Sequence, residues 1–165
     1  MRKEFQILSD FAHPSIARVR DFGLLDDGAG AFFSADFISG QDLLSWIASA
    51  SGEPEEIPRV VRDLLGQALG ALHSIHRAGF SHGDIKPANI MISARRPDEQ
   101  GWALKLIDLG GAGLIEHSQN GAVGETRWST PAYRAPDSLQ GARVAEDLFA
   151  LGLTVFPALA GRPPG

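Results

Sequence analysis

Val61, Leu64, Leu65, Ala68, Leu72 and Ile75 recur at helical spacing, the pattern of a helix with one apolar face to bury. Pro58 opens the stretch, where its missing N–H would lack an intrahelical partner in any case. Gly79 closes it as a C-terminal cap. The spacing predicts a helix from Pro58 to about Ala78. The pattern then changes abruptly. Ile90-Met91-Ile92 and Ala103 to Ile107 are short apolar runs separated by the hydrophilic turn Arg95 to Gly101, which reads as a β-hairpin.

The flanking segments supply candidates. Glu4 to Phe11 carries apolar residues on one face of a short helix, ended at His13-Pro14 because the residue before proline is pushed out of helical geometry. Ile16 to Leu25 and Ala31 to Ile38 are extended runs around the turn-forming Asp26 to Gly30, a second hairpin. Gly40 breaks the chain, and Asp42 is placed to cap a short helix through Ala50. Gly110 to Pro136 is rich in Gly, Ser and Thr, and so long a loop in a compact domain is usually functional or disordered. A last helix from about Val144 is apolar nearly all round, which predicts burial, and Pro157 should kink it.

Composition narrows the function. The chain of 165 residues is 44% hydrophobic and 21% charged, as in folded soluble domains. It has no cysteine, so a disulfide framework, a cysteine nucleophile and cysteine-ligated metal are excluded. The net charge of −5 argues against broad nucleic-acid binding. The most apolar stretch, Leu148 to Ala160, is too short to span a bilayer, and no targeting segment is visible, so the chain reads as cytoplasmic.

Chemistry concentrates in His82-Gly83-Asp84-Ile85-Lys86-Pro87-Ala88-Asn89-Ile90 and in Asp108-Leu109-Gly110. Asp84, Lys86 and Asn89 are close enough for one loop to aim all three at a common point. Carboxylate and amide oxygens suit Mg²⁺, which often shares its ligands with phosphates. A nearby lysine suits a phosphate oxygen. Phosphoryl transfer needs charge neutralisation, in-line positioning and an acceptor for the hydroxyl proton.

The His82–Ile90 segment resembles the catalytic loop of protein kinases, with Gly83 in place of the usual arginine. Asp108-Leu109-Gly110 resembles their metal-binding Asp-Phe-Gly. Ser129 to Asp137 resembles the end of the activation segment, and Asp147 to Gly152 the start of the buried central helix of the large lobe. The motifs stand in family order and span nearly the whole chain.

This resemblance implies a partial two-lobe α+β fold, with residues 1–38 in the small lobe and 39–165 in the large lobe. It also implies a eukaryotic-like serine/threonine protein kinase that moves the γ-phosphate of Mg-ATP to a protein substrate. Asp84 would orient or accept the hydroxyl proton, Lys86 would steady the γ-phosphate, and Asn89 and Asp108 would hold Mg²⁺. Thr130 matches the threonine that serine/threonine kinases place beside the catalytic loop. Asp36 to Ile38 would be the hinge that meets adenine, with Ala35 a small gatekeeper and Met91 packing beneath the base. Asp147 would hold the catalytic loop through its backbone. Leu8, Val19, His82 and Leu109 would stack as the spine joining the lobes. Glu4 stands at the family spacing for the small-lobe helix glutamate.

Other readings of these residues are blander. His73 and His76 share a helix face without further ligands, which favours a surface or packing role over zinc. Gly28 and Gly30 suit a hairpin turn better than a phosphate loop. None of Lys3, Lys86 and Lys105 fits the small-lobe strand lysine, and the resemblance implies truncation at both ends and weak activity of the isolated chain. The competing functions are a pseudokinase-like remnant or interaction module, and a small-molecule phosphotransferase of the aminoglycoside type, whose loops also read His-Gly-Asp.

Overall fold

The structure is a computed structural model that describes residues 12–24, 31–49, 57–95, 99–109, 112–114, 130–136 and 143–160. The expectations for the helix at Glu4 to Phe11, the turn at Asp26 to Gly30 and most of the 110–136 loop lie outside these residues.

The first hairpin pairs β1 (Val19–Leu24) with β2 (Ala31–Ala35) in antiparallel register. It is shorter than the extended runs predict. Residues 15–17 turn instead to another sheet, where Ile16 bridges Leu106 in parallel, and residues 36–38 leave β2 as irregular chain. That second sheet has the order β3-β5-β6. β5 (Ile90–Ala94) and β6 (Trp102–Leu106) form the predicted hairpin, with Ile90 opposite Leu106. β3 (Gln41–Asp42) adds to the other side of β5. Gly40 leads into β3 so close to β5 that a Cβ there would lie 2.4 Å from the Ile92 carbonyl oxygen, so this approach requires glycine.

Asp42 caps α1 (Leu43–Ser49) as its residue type predicts. Its Oδ1 accepts the N–H groups of Leu44 and Ser45, each at 3.0 Å. The long helix α2 (Ile57–Arg77) ends at Gly79, whose φ is +85°. Its buried face is Val61, Leu64, Ala68, Ala71, Leu72 and Ile75, packed into one core with Ile90, Ile92, Leu104 and Leu106 of the sheet. Trp46 of α1 and Trp102 of β6 meet edge to face at 5.4 Å, worth about 0.5–1.5 kcal/mol beyond burial alone. The short strands β4 (Phe80–Ser81) and β7 (Gly113–Leu114) pair antiparallel, and no sequence run announced either.

The last helix, α3 (Arg143–Ala160), packs on α2 and continues past Pro157 to Ala160. Its uniformly apolar sequence predicts complete burial, and the structure corrects this. Ala150, Leu151 and Val155 are buried, whereas Val144, Leu148 and Phe156 are 38–45% exposed on another side. The helix is packed through one stripe only among the described residues. Thr154 is fully buried but satisfied, its hydroxyl donating to the Ala150 carbonyl at 2.7 Å.

The edge of β6 is closed from two directions. Leu106 N–H donates to Ser15 and the Leu106 carbonyl accepts from Ala17 N–H, at 2.9 and 2.8 Å. Further along, the Gln67 side chain of α2 takes the place of a neighbouring strand. Its Oε1 accepts Leu104 N–H at 2.9 Å and its Nε2 donates to the Trp102 carbonyl at 3.0 Å. Replacing it should leave a half-buried backbone amide unpaired, at a cost of about 1–3 kcal/mol. Chemical denaturation of Gln67→Leu is expected to show that loss. A midpoint equal to wild type would mean that this edge does not depend on Gln67.

Candidate active site

The segment from His82 to Ile90 is built where α2 ends. Gly79 turns the chain, β4 carries it into the core, and residues 82–86 run as irregular backbone into a 3₁₀ turn at Pro87–Asn89 before β5 begins. Buried strands on both sides and a proline in the turn restrict this loop, so its side chains are held rather than free to sample.

Asp147 of α3 fixes the loop from below. Its Oδ2 accepts His82 N–H at 2.8 Å and its Oδ1 accepts Gly83 N–H at 2.9 Å, as the resemblance implied. The bland reading of His76 was incomplete. Its Nε2 lies 2.8 Å from Asp147 Oδ2, with both side chains largely buried. The two residues are far apart in sequence and on different helices, and only their helical spacings could have hinted at the contact. Gly83 adopts a φ of +81°, where glycine incurs no strain. His82 is fully buried, and burial lowers its pKa against the opposing pull of Asp147, the Ile107 carbonyl, Asp84 and Asp108. It is neutral at pH 7, and Val19 and Leu109 are buried in the hydrophobic core. Leu8 lies outside the described residues.

Asp84 is the hub. Its Oδ2 accepts from Lys86 Nζ at 2.7 Å and from Asn89 Nδ2 at 3.1 Å. Its Oδ1 accepts from the Thr130 N–H at 3.1 Å and the Thr130 hydroxyl at 3.0 Å. Lys86 Nζ also donates to Thr130 Oγ1 at 3.0 Å, so the hydroxyl accepts from the ammonium and gives its own proton to the carboxylate. Burial alone would raise the Asp84 pKa, but the bonds from Lys86 and Thr130 outweigh it and hold the pKa below its ordinary value. The group is therefore ionised at neutral pH, able to orient a hydroxyl proton before accepting it.

Asn89 donates its Nδ2 to the Asp84 carbonyl at 2.8 Å as well as to the carboxylate, which leaves its Oδ1 as the amide's metal-type donor. Asn89 and Asp108 are brought together through the backbone, because Ile107 N–H donates to the Asn89 carbonyl at 3.0 Å. Asp108 is exposed and holds φ at +60°, a left-handed conformation that aspartate tolerates better than most residues. One amide and one carboxylate suit Mg²⁺, which commonly takes one or two protein oxygens and completes its shell with phosphates and water. Among the described residues no cluster of three or more His, Asp or Glu exists that could cage a metal without such help.

Beside this pair lies a cavity of about 350 Å³. Ala17, Val19, Ala35, Met91 and Ile107 give it apolar walls, and Asp36, Phe37, Ile38 and Asp108 complete it. Asp36 N–H is already committed to the Arg18 carbonyl at 2.9 Å, so its carbonyl is the group left to meet a ligand. The Asp36 carboxylate pairs with Arg20 Nε at 2.5 Å. The structure thus brings Asp84, Lys86, Asn89 and Thr130 into one hydrogen-bonded group, and Ala35, Asp36, Ile38, Met91 and Asp108 around one cavity. Glu4 lies outside the described residues.

Two outcomes are expected. In Asp147→Ala the amides of His82 and Gly83 should lose protection in hydrogen exchange while those at the centre of α2 keep theirs; unchanged protection at His82 would mean that Asp147 does not hold the loop. Lys86→Met should raise the Asp84 pKa. Because the folded-state value is depressed, the stability that Asp84 contributes is present above the unfolded value of about 3.9 and lost as pH falls through the folded value. The variant should begin its acid unfolding at higher pH than wild type, and coincident acid-unfolding curves would refute the coupling.

Comparison with known proteins gives the same direction. The protein kinase domain family matches residues 1–165. Serine/threonine-protein kinase pkn3 of Myxococcus xanthus is 32% identical over 99% of this chain and 30% of its own length. PknB of Mycobacterium leprae is 30% identical over 99% of this chain and 25% of its own length. Human ULK3 is 32% identical over 98% of this chain and 32% of its own length. The chain therefore spans under a third of the length of these curated relatives. Among solved structures, Rad53 in complex with AMP-PNP superposes with a TM-score of 0.70 at 29% identity, covering 99% of this chain and 38% of the other. The PknI kinase domain of Mycobacterium tuberculosis gives 0.70 at 25% identity, covering 99% and 59%. Matched by the family along its whole length and at least 30% identical to pkn3, PknB and ULK3, this chain belongs to the protein kinase domain family.

Proposed function

We propose that the chain carries the core of an ATP-dependent serine/threonine protein kinase, transferring the γ-phosphate of Mg-ATP to serine or threonine hydroxyls of a protein. The observation that carries this is the Asp84–Lys86–Thr130 group beside an apolar cavity of about 350 Å³. Asp84 orients the acceptor hydroxyl and draws off its proton. Lys86, already fixed against Asp84 and Thr130, presents its ammonium to a phosphate oxygen. Thr130 ties the loop to the segment on which a peptide substrate would lie. Asn89 Oδ1 and the Asp108 carboxylate would hold Mg²⁺, which when bound neutralises phosphate charge.

The cavity would take the adenine. Met91 and Ala35 line it, Met91 would pack beneath the base, Ala35 would be a small gatekeeper, and the Asp36 carbonyl with the backbone of Ile38 would supply hinge hydrogen bonds. Glu4 keeps the role that the resemblance gives it. We divide the chain functionally at 38/39, with the nucleotide site between the parts. Among the described residues no helix is long and apolar enough to cross a membrane, and use of Mg-ATP fits a cytoplasmic setting.

Transfer from γ-labelled ATP to a mixed Ser/Thr protein substrate should fall by about two to four orders of magnitude in Asp84→Asn, with nucleotide affinity changed by no more than a few-fold. Turnover retained in that variant would remove Asp84 from its role. Gly83 replaces the arginine that would bind an activation-segment phosphate, and Thr126, a hydroxyl residue of the 110–136 loop, is a candidate site for such a phosphate; Thr126→Ala should therefore keep activity within a few-fold of wild type, and a large loss would refute that independence.

A further inference from the structure

The strap of residues 36–40 joins β2 to β3, and its first three residues line the nucleotide cavity. The far end is pinned where Gly40 closes on the Ile92 carbonyl. At the near end Asp36 N–H donates to the Arg18 carbonyl at 2.9 Å. Between the two pins the Phe37 ring is 91% exposed, so it gives the strap no hold on the core.

The Asp36 carbonyl belongs to the next peptide unit along from that N–H. The two soft backbone torsions of Asp36 lie between them, so the bond to Arg18 does not by itself aim the carbonyl. A second hold on the same residue, through its side chain, restricts rotation about N–Cα. The pin at Gly40 is left to limit the other torsion.

Arg20 supplies that second hold. In the β1–β2 ladder Val19 stands opposite Ala35 and Asp21 opposite Ser34. Two steps along β1 thus match one along β2, and Arg20 is the extra residue of a bulge. A bulge bends its strand and can re-aim a side chain. Here Arg20 Nε donates to Asp36 Oδ1 at 2.5 Å, and this bond holds the Asp36 carboxyl below its ordinary pKa. Arg18 and Arg20, two residues apart on β1, therefore grip the backbone and the side chain of one residue. Arg20 is not one of the described residues that line the cavity, so any effect on a bound base passes through Asp36.

We propose that Arg20 is a positioning residue for nucleotide recognition, clamping Asp36 from the bulge so that the Asp36 carbonyl faces the 6-amino group of adenine. The clamp sharpens the preference for ATP over nucleotides that lack this amino group. The role rests on the cavity being the adenine site.

The test compares ATP with purine riboside triphosphate, which lacks the 6-amino group, as competitors of a fluorescent ATP analogue on the full chain with Mg²⁺. Both competitors carry the same ribose and triphosphate, so the ratio of their affinities reads the contact at the 6-amino group. Wild type is expected to prefer ATP. Arg20→Ala should lose about two- to five-fold of that preference, the size an exposed ion pair supplies, with the affinity for purine riboside triphosphate unchanged. Asp36→Ala should lose a similar share, and adding Arg20→Ala to it should change nothing further, because the two substitutions remove one interaction. Arg18→Ala removes a neighbouring charge but keeps the Arg18 carbonyl, and should leave the ratio as in wild type. The side chains of Arg20 and Asp36 are 55% and 36% exposed, so these variants keep the fold. Wild type that binds the two nucleotides alike overturns the reading of the cavity, and the clamp with it. Wild type that prefers ATP, with Arg20→Ala preferring it equally, overturns the clamp alone. The clamp is also overturned if the Arg20 and Asp36 losses add, or if Arg18→Ala reproduces the Arg20→Ala loss.

Discussion

The Asp147 carboxylate is the interaction on which the site depends. It accepts the N–H groups of His82 and Gly83 and lies against His76 Nε2, so one buried side chain ties α2, α3 and the catalytic loop together. A buried carboxylate is costly unless its oxygens are satisfied, and here three donors converge on it. The loop cannot shift without exposing that charge to an apolar surround. Asp84, one residue beyond Gly83, inherits its position from this anchor. Its own carboxylate is then shaped by Lys86, Asn89 and Thr130, two of which lie on the same short loop.

The β3-β5-β6 sheet provides the second constraint. β5 follows Asn89 and β6 leads towards Asp108, so their antiparallel register, Ile90 opposite Leu106, sets Asn89 and Asp108 side by side. An open edge on β6 would be a site of fraying or unwanted pairing. It is closed by residues 15–17 at one end and by Gln67 at the other. The same contacts bind the chain that leads into β1 to the sheet, beside the cavity that Ala17 and Val19 line. The edge that needs protection and the junction that forms the cavity are thus one structural solution.

Much of the site was legible because its signals are local. The stripe from Val61 to Ile75, the Asp42 cap and the hairpin around Arg95 to Gly101 each follow from neighbours a few residues apart. Asp84, Lys86, Asn89 and Asp108 were legible as a set because the loop that carries three of them is short. What escaped depends on distant partners. Gln67 reads as an ordinary polar helix residue, and only the packed sheet shows that it serves as strand edge. His76 reads as a surface histidine until α3 brings Asp147 to it. The two-residue strands β3, β4 and β7 are too short for any periodicity to show. Val144, Leu148 and Phe156 read as core, yet composition cannot tell which stripe of an all-apolar helix finds a neighbour.

By itself the sequence determined the kinds of element, the order of the motifs and the inventory of chemistry, since each rests on residue type and short-range spacing. It also excluded cysteine chemistry, because no cysteine is present. Tertiary structure alone decided which groups touch. It made Asp84 an ionised hub held below its ordinary pKa, and it gave Asp147 its donors. Contact and burial set the strength of charges and hydrogen bonds, and both are properties of the packed molecule rather than of any segment within it.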